Sequence, residues 1–553
     1  MKTYNSGKKG ACMNHPAFHA TNPWQSLKKE AARFDTEEYH LRALLNDSNR
    51  FDRFSIKLED FFFDFSKQRM DETVFLDLCR MAQDLDLKSR FTSMAEGGSV
   101  NRTENRAALH TAARDFSDRY ITAGSMDVKK EFLKVNQKIR AFTEDVHHGR
   151  ITGSTSKRFT DVVVVGIGGS YLGASFVNTA LGYGYKRKMG LHFLSNVDID
   201  NFASVVKNVD VETTLFVIIS KSYTTVETMA NLNQILEHLK ACSIDPRYHL
   251  VTVTSRESPG DDSSNPVLGT FYMFDFIGGR YSVTSAVGGV PLSLAFGFEV
   301  FEEFLRGAHR MDLIAETAGI EENPPLVAAL VNVWNSNALD YNALGLIPYS
   351  TALSGLPAHV QQLYMESLGK AVTVEKNPVS YKTGVLLFGE SGTNAQHSFF
   401  QLAHQGMAFP IEFIGAVKPG FKGKQALSSG VTNHQELWAN MVSQARALAV
   451  GGENTEDRAR SFSGNRPSSA IVIPDLSAFH AGMLLSFYEA RTVYEGFILD
   501  INPFDQFGVE LGKRLAGDIR KEMARKNKDR EYSFHDQDAA TRFYLQTLFS
   551  GEL

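Results

Sequence analysis

The sequence predicts an α/β protein with two domains on parallel sheets and helical segments at both ends. Three observations carry the prediction. At 553 residues the chain is longer than one hydrophobic core ordinarily serves. From about residue 160 onward, short apolar runs alternate with helical stretches, the pattern of strands joined by crossover helices. The runs are also continuous rather than alternating, as in DVVVV and LFVIIS, which is how strands read when helices cover both faces.

Residues 1–20 are polar, and MKTYNSGKKGACMNHP has lysines but no apolar stretch, so no secretory signal is expected. From Trp24 to about Arg150 the apolar spacing is mostly helical, including LRALLNDSNRFDRFSIKLEDFFFDFSKQRM and VKKEFLKVNQKIRAFTEDVHH. Strands are then predicted at Val162–Val165, Leu191–Leu194, Thr214–Ser220, Leu250–Thr254 and Phe271–Phe276. The polar, proline-containing AETAGIEENPP reads as a linker. A second set of strands follows at Leu346–Pro348, Ala371–Glu375, Gly384–Phe388, Phe409–Ala416 and Ala470–Pro474, and the tail from Lys513 is charged and helical. The expected boundaries are a helical arm at 1–120, a first α/β domain at 121–300, a helical linker at 301–335, a second α/β domain at 336–515 and a helical tail at 516–553.

Composition excludes several classes of function. Lys and Arg number 58 against 63 Asp and Glu, a formal charge of −5, so no nucleic-acid partner is expected. No run approaches the ~20 apolar residues of a membrane span. Cys12, Cys79 and Cys242 are scattered and odd in number, which fits a reducing compartment and neither a disulfide framework nor a zinc site. A cytoplasmic location is expected.

The first stretch with chemistry in it is DVVVVGIGGSYLGAS, residues 161–175. It is not a dinucleotide fingerprint, because Tyr171 occupies the third glycine position, and not a Walker loop, because Ala174 stands where lysine belongs. What is left is a buried strand and a glycine turn with Ser170 at a helix start. Such a turn either receives a phosphate on free N–H groups or simply makes a tight corner.

LFVIISKSYTTVETM offers Ser220, Lys221, Ser222, Thr224 and Thr225 between a strand and a helix. These are phosphate donors, or else part of a capping box of Thr224 with Glu227. In GGRYSVTSAVG, Arg280 follows two glycines, where it could stabilise an oxyanion or make a surface ion pair. In QQLYMESLGK, Glu366 lies between Met365 and Ser367, a setting for a base or a solvated helix face. GESGTNAQHSFFQLAHQG carries His397 and His404, whose spacing on one helix puts them about 10 Å apart, too far to share a metal ion. FDQFGVELGKRL holds Gln506, Glu510 and Lys513 on an amphipathic helix.

Each signal is weak alone, but their order is not. GIGGSYLG, SKSYTTVET, GGRYS…SAVG, QQ…MES-GK, GTN-QHSF-QL-HQG and FDQ-GVELGK, with NRTENRAALHTAARD at 101–115, resemble the glucose-6-phosphate isomerase family from about residue 24 to residue 520. The resemblance implies two sugar-isomerase (SIS-type) α/β/α sandwich domains, a homodimer, a sugar-phosphate substrate, and no metal or cofactor. It implies that Ser220, Lys221, Ser222 and Thr225 grip the phosphate beside Gly169 and Ser170. Glu366 would move a proton between C1 and C2, and Arg280 would stabilise the cis-enediol(ate). His397, donated by the partner subunit, and Lys513 would open the ring, while Gln362 and Gln506 orient the substrate.

The chain departs from the family at Tyr171, Ser222, Thr284 and Leu368, the last bringing the hydrogen bonding around Glu366 into question. A non-catalytic sugar-phosphate sensor would usually carry a basic DNA-binding helix, which is not seen. An amidotransferase-linked aminosugar synthase would need an N-terminal cysteine, whereas the chain starts Met1-Lys2.

Overall fold

The computed structural model describes residues 17–553 except 263, 265 and 266. The expectations for the first 16 residues, Cys12 among them, lie outside the described residues. The chain divides into a unit running to Phe504 and a C-terminal unit, Asp505–Leu553.

The first unit holds both large sheets. Its strands, with those of two short hairpins, are β1 (Ser55–Lys57), β2 (Phe62–Lys67), β3 (Thr122–Ala123), β4 (Met126–Asp127), β5 (Asp161–Val165), β6 (Gly190–Leu194), β7 (Thr214–Ile219), β8 (Leu250–Thr254), β9 (Gly269–Tyr272), β10 (Ala343–Pro348), β11 (Leu386–Gly389), β12 (Ile411–Ala416), β13 (Leu427–Ser428), β14 (Val431–Thr432) and β15 (Ser468–Ile473). One sheet has the order β6-β5-β7-β8-β9 and is parallel throughout. The apolar run of β5 explains its central place. Val163 and Val165 pack with Phe216, Ile218, Ile235 and Leu239 on one face, and Val162 and Val164 join Leu215, Val217 and the main core on the other. A strand buried on both faces has no position for a polar residue.

The other sheet has the order β1-β2-β15-β12-β10-β11. Strands β15, β12, β10 and β11 are parallel, and β2 and β1 add an antiparallel edge. Here the expectation of helix across the FFFDFSK region needs correction. Phe61, Phe63 and Phe65 are buried at alternate positions, a period of two, and Phe63 pairs with Ile471. Aromatic residues at that period favour a strand over a helix.

Three other segments also differ from expectation. Ala371–Glu375 forms no strand and contributes only a bridge from Val372 to Pro378, because the chain reverses at Lys376, where φ is +65°. The Phe271–Phe276 run leaves the sheet after Tyr272, and Phe274 and Phe276 stack on each other at 5.2 Å instead. AETAGIEENPP is a tight corner between the helices Phe298–Thr317 and Pro324–Val333, capped by Asn323 and with both prolines buried.

Helix Ala478–Ile498 runs through the core with almost every residue buried, charged ones included. Those charges are compensated. Arg114, the last arginine of the 101–115 motif, donates to Asp312 at 2.6 and 2.9 Å and to Glu489 at 2.5 Å. Arg491 faces Glu412, which also accepts from the Tyr488 hydroxyl at 2.6 Å. Glu495 accepts from Tyr364 at 2.6 Å and Asn332 at 2.8 Å. Unpaired charges at such depth would cost several kcal/mol each.

In the C-terminal unit, helices Glu510–Lys528 and Ala539–Ser550 pack around Phe534 and Leu545, with Asp538 capping the second. Among the described residues, no helix is long and apolar enough to cross a membrane.

Candidate active site

Strand β5 ends in Gly166-Ile167-Gly168-Gly169-Ser170, which closes as a 3₁₀ turn before helix Leu172–Leu181. Gly168 has φ +58°, which suits glycine. Gly169 is required by proximity. A methyl group there would lie 2.7 Å from the Arg280 amide nitrogen and would overlap the Gly279 carbonyl. The two glycine loops therefore touch, and Ser282 pins the contact by donating to Gly279 O at 2.6 Å and Gly169 O at 3.4 Å.

That contact seats Arg280. Its guanidinium is fully buried and donates to Ser367 Oγ at 2.6 Å and to the Pro503 carbonyl at 2.7 Å. Nη1 lies 3.7 Å from Glu366 Oε2. Behind it, the Tyr281 hydroxyl shares both acceptors, at 3.1 and 3.4 Å, and burial pushes that phenol up to about 12. Next to Tyr281 lies the His110 ring at 4.7 Å, which burial and the Arg114 charge hold well below its usual protonation range.

Helix Leu356–Leu368 supplies Gln362, Glu366 and Ser367. The Gln362 side chain abuts Gly168, and its Oε1 is buried with no hydrogen-bond partner among the described residues. Lys370 Nζ donates to the Glu366 carbonyl at 3.0 Å. Leu368 points into the core against Gly384, and Arg280, beside the Glu366 carboxylate, and Lys370, on its backbone carbonyl, are polar neighbours of Glu366. Of the other departures, Tyr171 leans on Phe193 at 6.2 Å, and Thr284 is buried with no hydrogen-bond partner for its hydroxyl among the described residues.

Strands β5 and β7 are neighbours, so the loop after β7 opens at the same sheet edge as the β5 turn. Ser220 Oγ donates to Thr225 Oγ1 at 3.3 Å, and Ser222 and Thr224 share a hydrogen bond of 2.7 Å. The expected capping box of Thr224 and Glu227 does not form. Helix Val226–Ala241 begins after Thr225, whose side chain accepts no capping hydrogen bond from the first turn. Lys221 reaches across to the carbonyls of Asp275 and Ile277, at 3.1 and 3.4 Å, and to Asp275 Oδ1 at 3.3 Å. Burial lowers its proton affinity, partly offset by Asp275 and reinforced by Arg106.

The first unit thus brings together Gly169, Ser170, Ser220, Lys221, Ser222, Thr225, Arg280, Gln362 and Glu366. His397 is exposed, at the end of the short helix Gly392–Gln396 after β11. It does not share a helix with His404. The chain breaks at Ser398–Phe399, where Phe399 packs edge-on to Phe388 at 5.0 Å, and a new helix, Phe400–Gln405, follows. His404 is taken up by Gln444 Oε1 at 2.8 Å. Gln506 and Lys513 belong to the C-terminal unit, where both are exposed, Gln506 before the turn Phe507–Val509 and Lys513 on helix Glu510–Lys528.

Sequence reasoning passed over the supports of Arg280. Ser367 stood inside a quoted motif, and its position after the carboxylate was the available signal. The Pro503 carbonyl is main chain and carries no signal at all.

Residues 64–542 match the phosphoglucose isomerase family. The chain is 56% identical over 529 residues to the glucose-6-phosphate isomerase of Desulfosudis oleivorans, covering 95% of this chain and 97% of that one. It is 39% identical over 528 residues to the cytosolic glucose-6-phosphate isomerase of Arabidopsis thaliana, covering 91% and 92%. The crystal structure of a glucose-6-phosphate isomerase from Chlamydia trachomatis superposes with a TM-score of 0.88 at 35% identity, covering 97% of this chain and all of that one. With the parallel sheets and the touching glycine loops, these matches establish that the chain belongs to the phosphoglucose isomerase family, whose named members are aldose–ketose isomerases.

Proposed function

We propose that the protein interconverts glucose 6-phosphate and fructose 6-phosphate through a cis-enediol(ate), a step of glycolysis and gluconeogenesis. The observation that supports this most is the placing of Glu366 beside a buried, immobilised Arg280. In this reading the loop from Ser220 to Thr225, with Lys221 and Ser222, holds the phosphate, and Gly169 and Ser170 line its side. Glu366 removes the C2 proton of the open-chain aldose and returns it to C1. As the carbonyl electrons move to oxygen, Arg280 meets the developing negative charge in a dry site, where a fixed cation acts strongly. Gln362 and Gln506 orient the chain of hydroxyls. The reaction moves a proton with no net oxidation, so it calls for no redox cofactor.

His397 and Lys513 assist ring opening. An exposed His397 with no hydrogen bond to its ring among the described residues suits donation to a second copy's site, and the working form is a homodimer in the cytoplasm. The test is turnover of fructose 6-phosphate by purified protein without added metal or nucleotide. Absence of turnover, with binding intact, would instead favour a sugar-phosphate sensor.

A further inference from the structure

Between the exposed Ser222 and Thr224 lies a half-buried residue, Tyr223, at φ +53°. Bulky side chains rarely take this left-handed conformation, and when one does, the surroundings must hold it there. Two things hold Tyr223. Its ring joins the apolar cluster of Val163, Phe216 and Ile235. It also lies against the Cα of Gly260, where an added methyl would come within 2.6 Å of Cε2 and 2.7 Å of Cγ.

Gly260 is itself fixed to the sheet. It sits in the turn Pro259–Asp261, its carbonyl accepts from Thr252 of β8 at 3.2 Å, and Asp261 accepts from Tyr272 of β9 at 2.9 Å. The Gly260 backbone is not left-handed, so glycine is needed there only to make room for the ring. The Tyr223 hydroxyl has no hydrogen bond among the described residues, so the ring alone makes the contact.

The geometry points to Tyr223 and Gly260 as positioning residues that set the loop's affinity for the substrate phosphate: the ring seated on Gly260 locks the left-handed turn that holds Ser222 and Thr224 outward together. This rests on the assignment of that loop to the phosphate. Neither residue touches the reacting carbons, so the effect belongs to binding. Gly260→Ala is expected to raise KM for fructose 6-phosphate and the inhibition constant of inorganic phosphate together, by about tenfold, with kcat within about twofold. Tyr223→Phe should match the parent. In a Tyr223→Gly background, Gly260→Ala should add nothing, because the clash has lost one partner. Tyr223→Trp, which enlarges the ring at the same contact, should raise both constants as Gly260→Ala does.

Unchanged constants in Gly260→Ala and Tyr223→Trp, or independent multiplying effects of Gly260→Ala and Tyr223→Gly, would overturn the inference. Thr225→Ala separates the two levels. If it raises KM while Gly260→Ala does not, only this inference fails. If neither raises KM, the phosphate assignment fails first.

Discussion

Arg280 Nη1 lies 3.7 Å from Glu366 Oε2, close enough for charge attraction and too far for a hydrogen bond. The carboxylate is therefore not consumed by its neighbour. Glu366→Gln keeps the shape and removes the proposed base, so kcat is expected to fall by roughly 10²–10⁴-fold. Solvent deuterium exchange at C2 of glucose 6-phosphate, followed by NMR, should fall in parallel, while anomerisation on the same sample falls less. Exchange at the parent rate would show that another group is the base.

Thr225→Ala removes a hydroxyl that accepts from Ser220 at the mouth of the β7 loop. In the proposed reading this loop holds the phosphate alike in substrate and intermediate, so the loss should be in uniform binding. Steady-state kinetics should show KM rising more than kcat falls.

Ser367→Ala leaves the buried Nε of Arg280 without its 2.6 Å acceptor. An unpaired buried donor costs about 1–3 kcal/mol, and the arginine retains the Pro503 carbonyl. In the proposed mechanism Arg280 acts on charge that develops after binding, so kcat should fall roughly tenfold with KM little changed. A change confined to KM would place Ser367 with substrate binding instead.

Subunit mixing addresses His397. In the proposed homodimer, inactive His397→Ala and inactive Glu366→Gln chains reassociated at random would put half of the dimers in mixed form, each with one complete site. About a quarter of parent activity should return if the histidine crosses the interface. No recovery, with exchange demonstrated, would mean that each chain builds its own site.

Glu495 predicts a pH effect on stability. Burial raises its carboxyl from 4.5 to about 7, with Arg491, Tyr364 and Asn332 facing it and partly offsetting the rise. The folded state then holds a proton that the unfolded state releases, so stability falls as pH rises from about 4.5 through about 7. At about 1.4 kcal/mol for each tenfold difference, the loss amounts to roughly 3 kcal/mol. Glu495→Gln has no such proton, so its Tm should depend less steeply on pH over that window. Equal slopes by calorimetry would rule the effect out.

The sheets were legible wherever burial on both faces left only apolar residues, as in Val162–Val165 and Leu215–Ile219. The strand at Phe62–Lys67 was harder, since its aromatic density also satisfied helical spacing and only the alternation of Phe61, Phe63 and Phe65 betrayed it. The residues around Glu366 and Arg280 were legible only as motifs, each open to a plain structural reading alone and telling in their order along the chain. What the arginine rests on was not, for a main-chain carbonyl at Pro503 and a hydroxyl on a distant helix are joined only by tertiary packing. The break between His397 and His404 was hidden for the same reason, since it depends on where Phe399 finds its partner.

The antiparallel edge of the second sheet has a consequence for biosynthesis. Phe62 pairs with Val472, about 400 positions later in the chain. At translation rates of about 5–20 residues per second, β2, paired early with β1, waits roughly 20–80 s after synthesis before β15, its other neighbour, exists. For that time the edge of β2 that β15 covers, with Phe61, Phe63 and Phe65, stays open on the nascent chain, a substrate for holding chaperones. The strands of the first sheet are all synthesised by Tyr272, well before β15. Slowing release of the C-terminal half should therefore load chaperones onto the segment around residue 62 rather than onto the valine-rich strands.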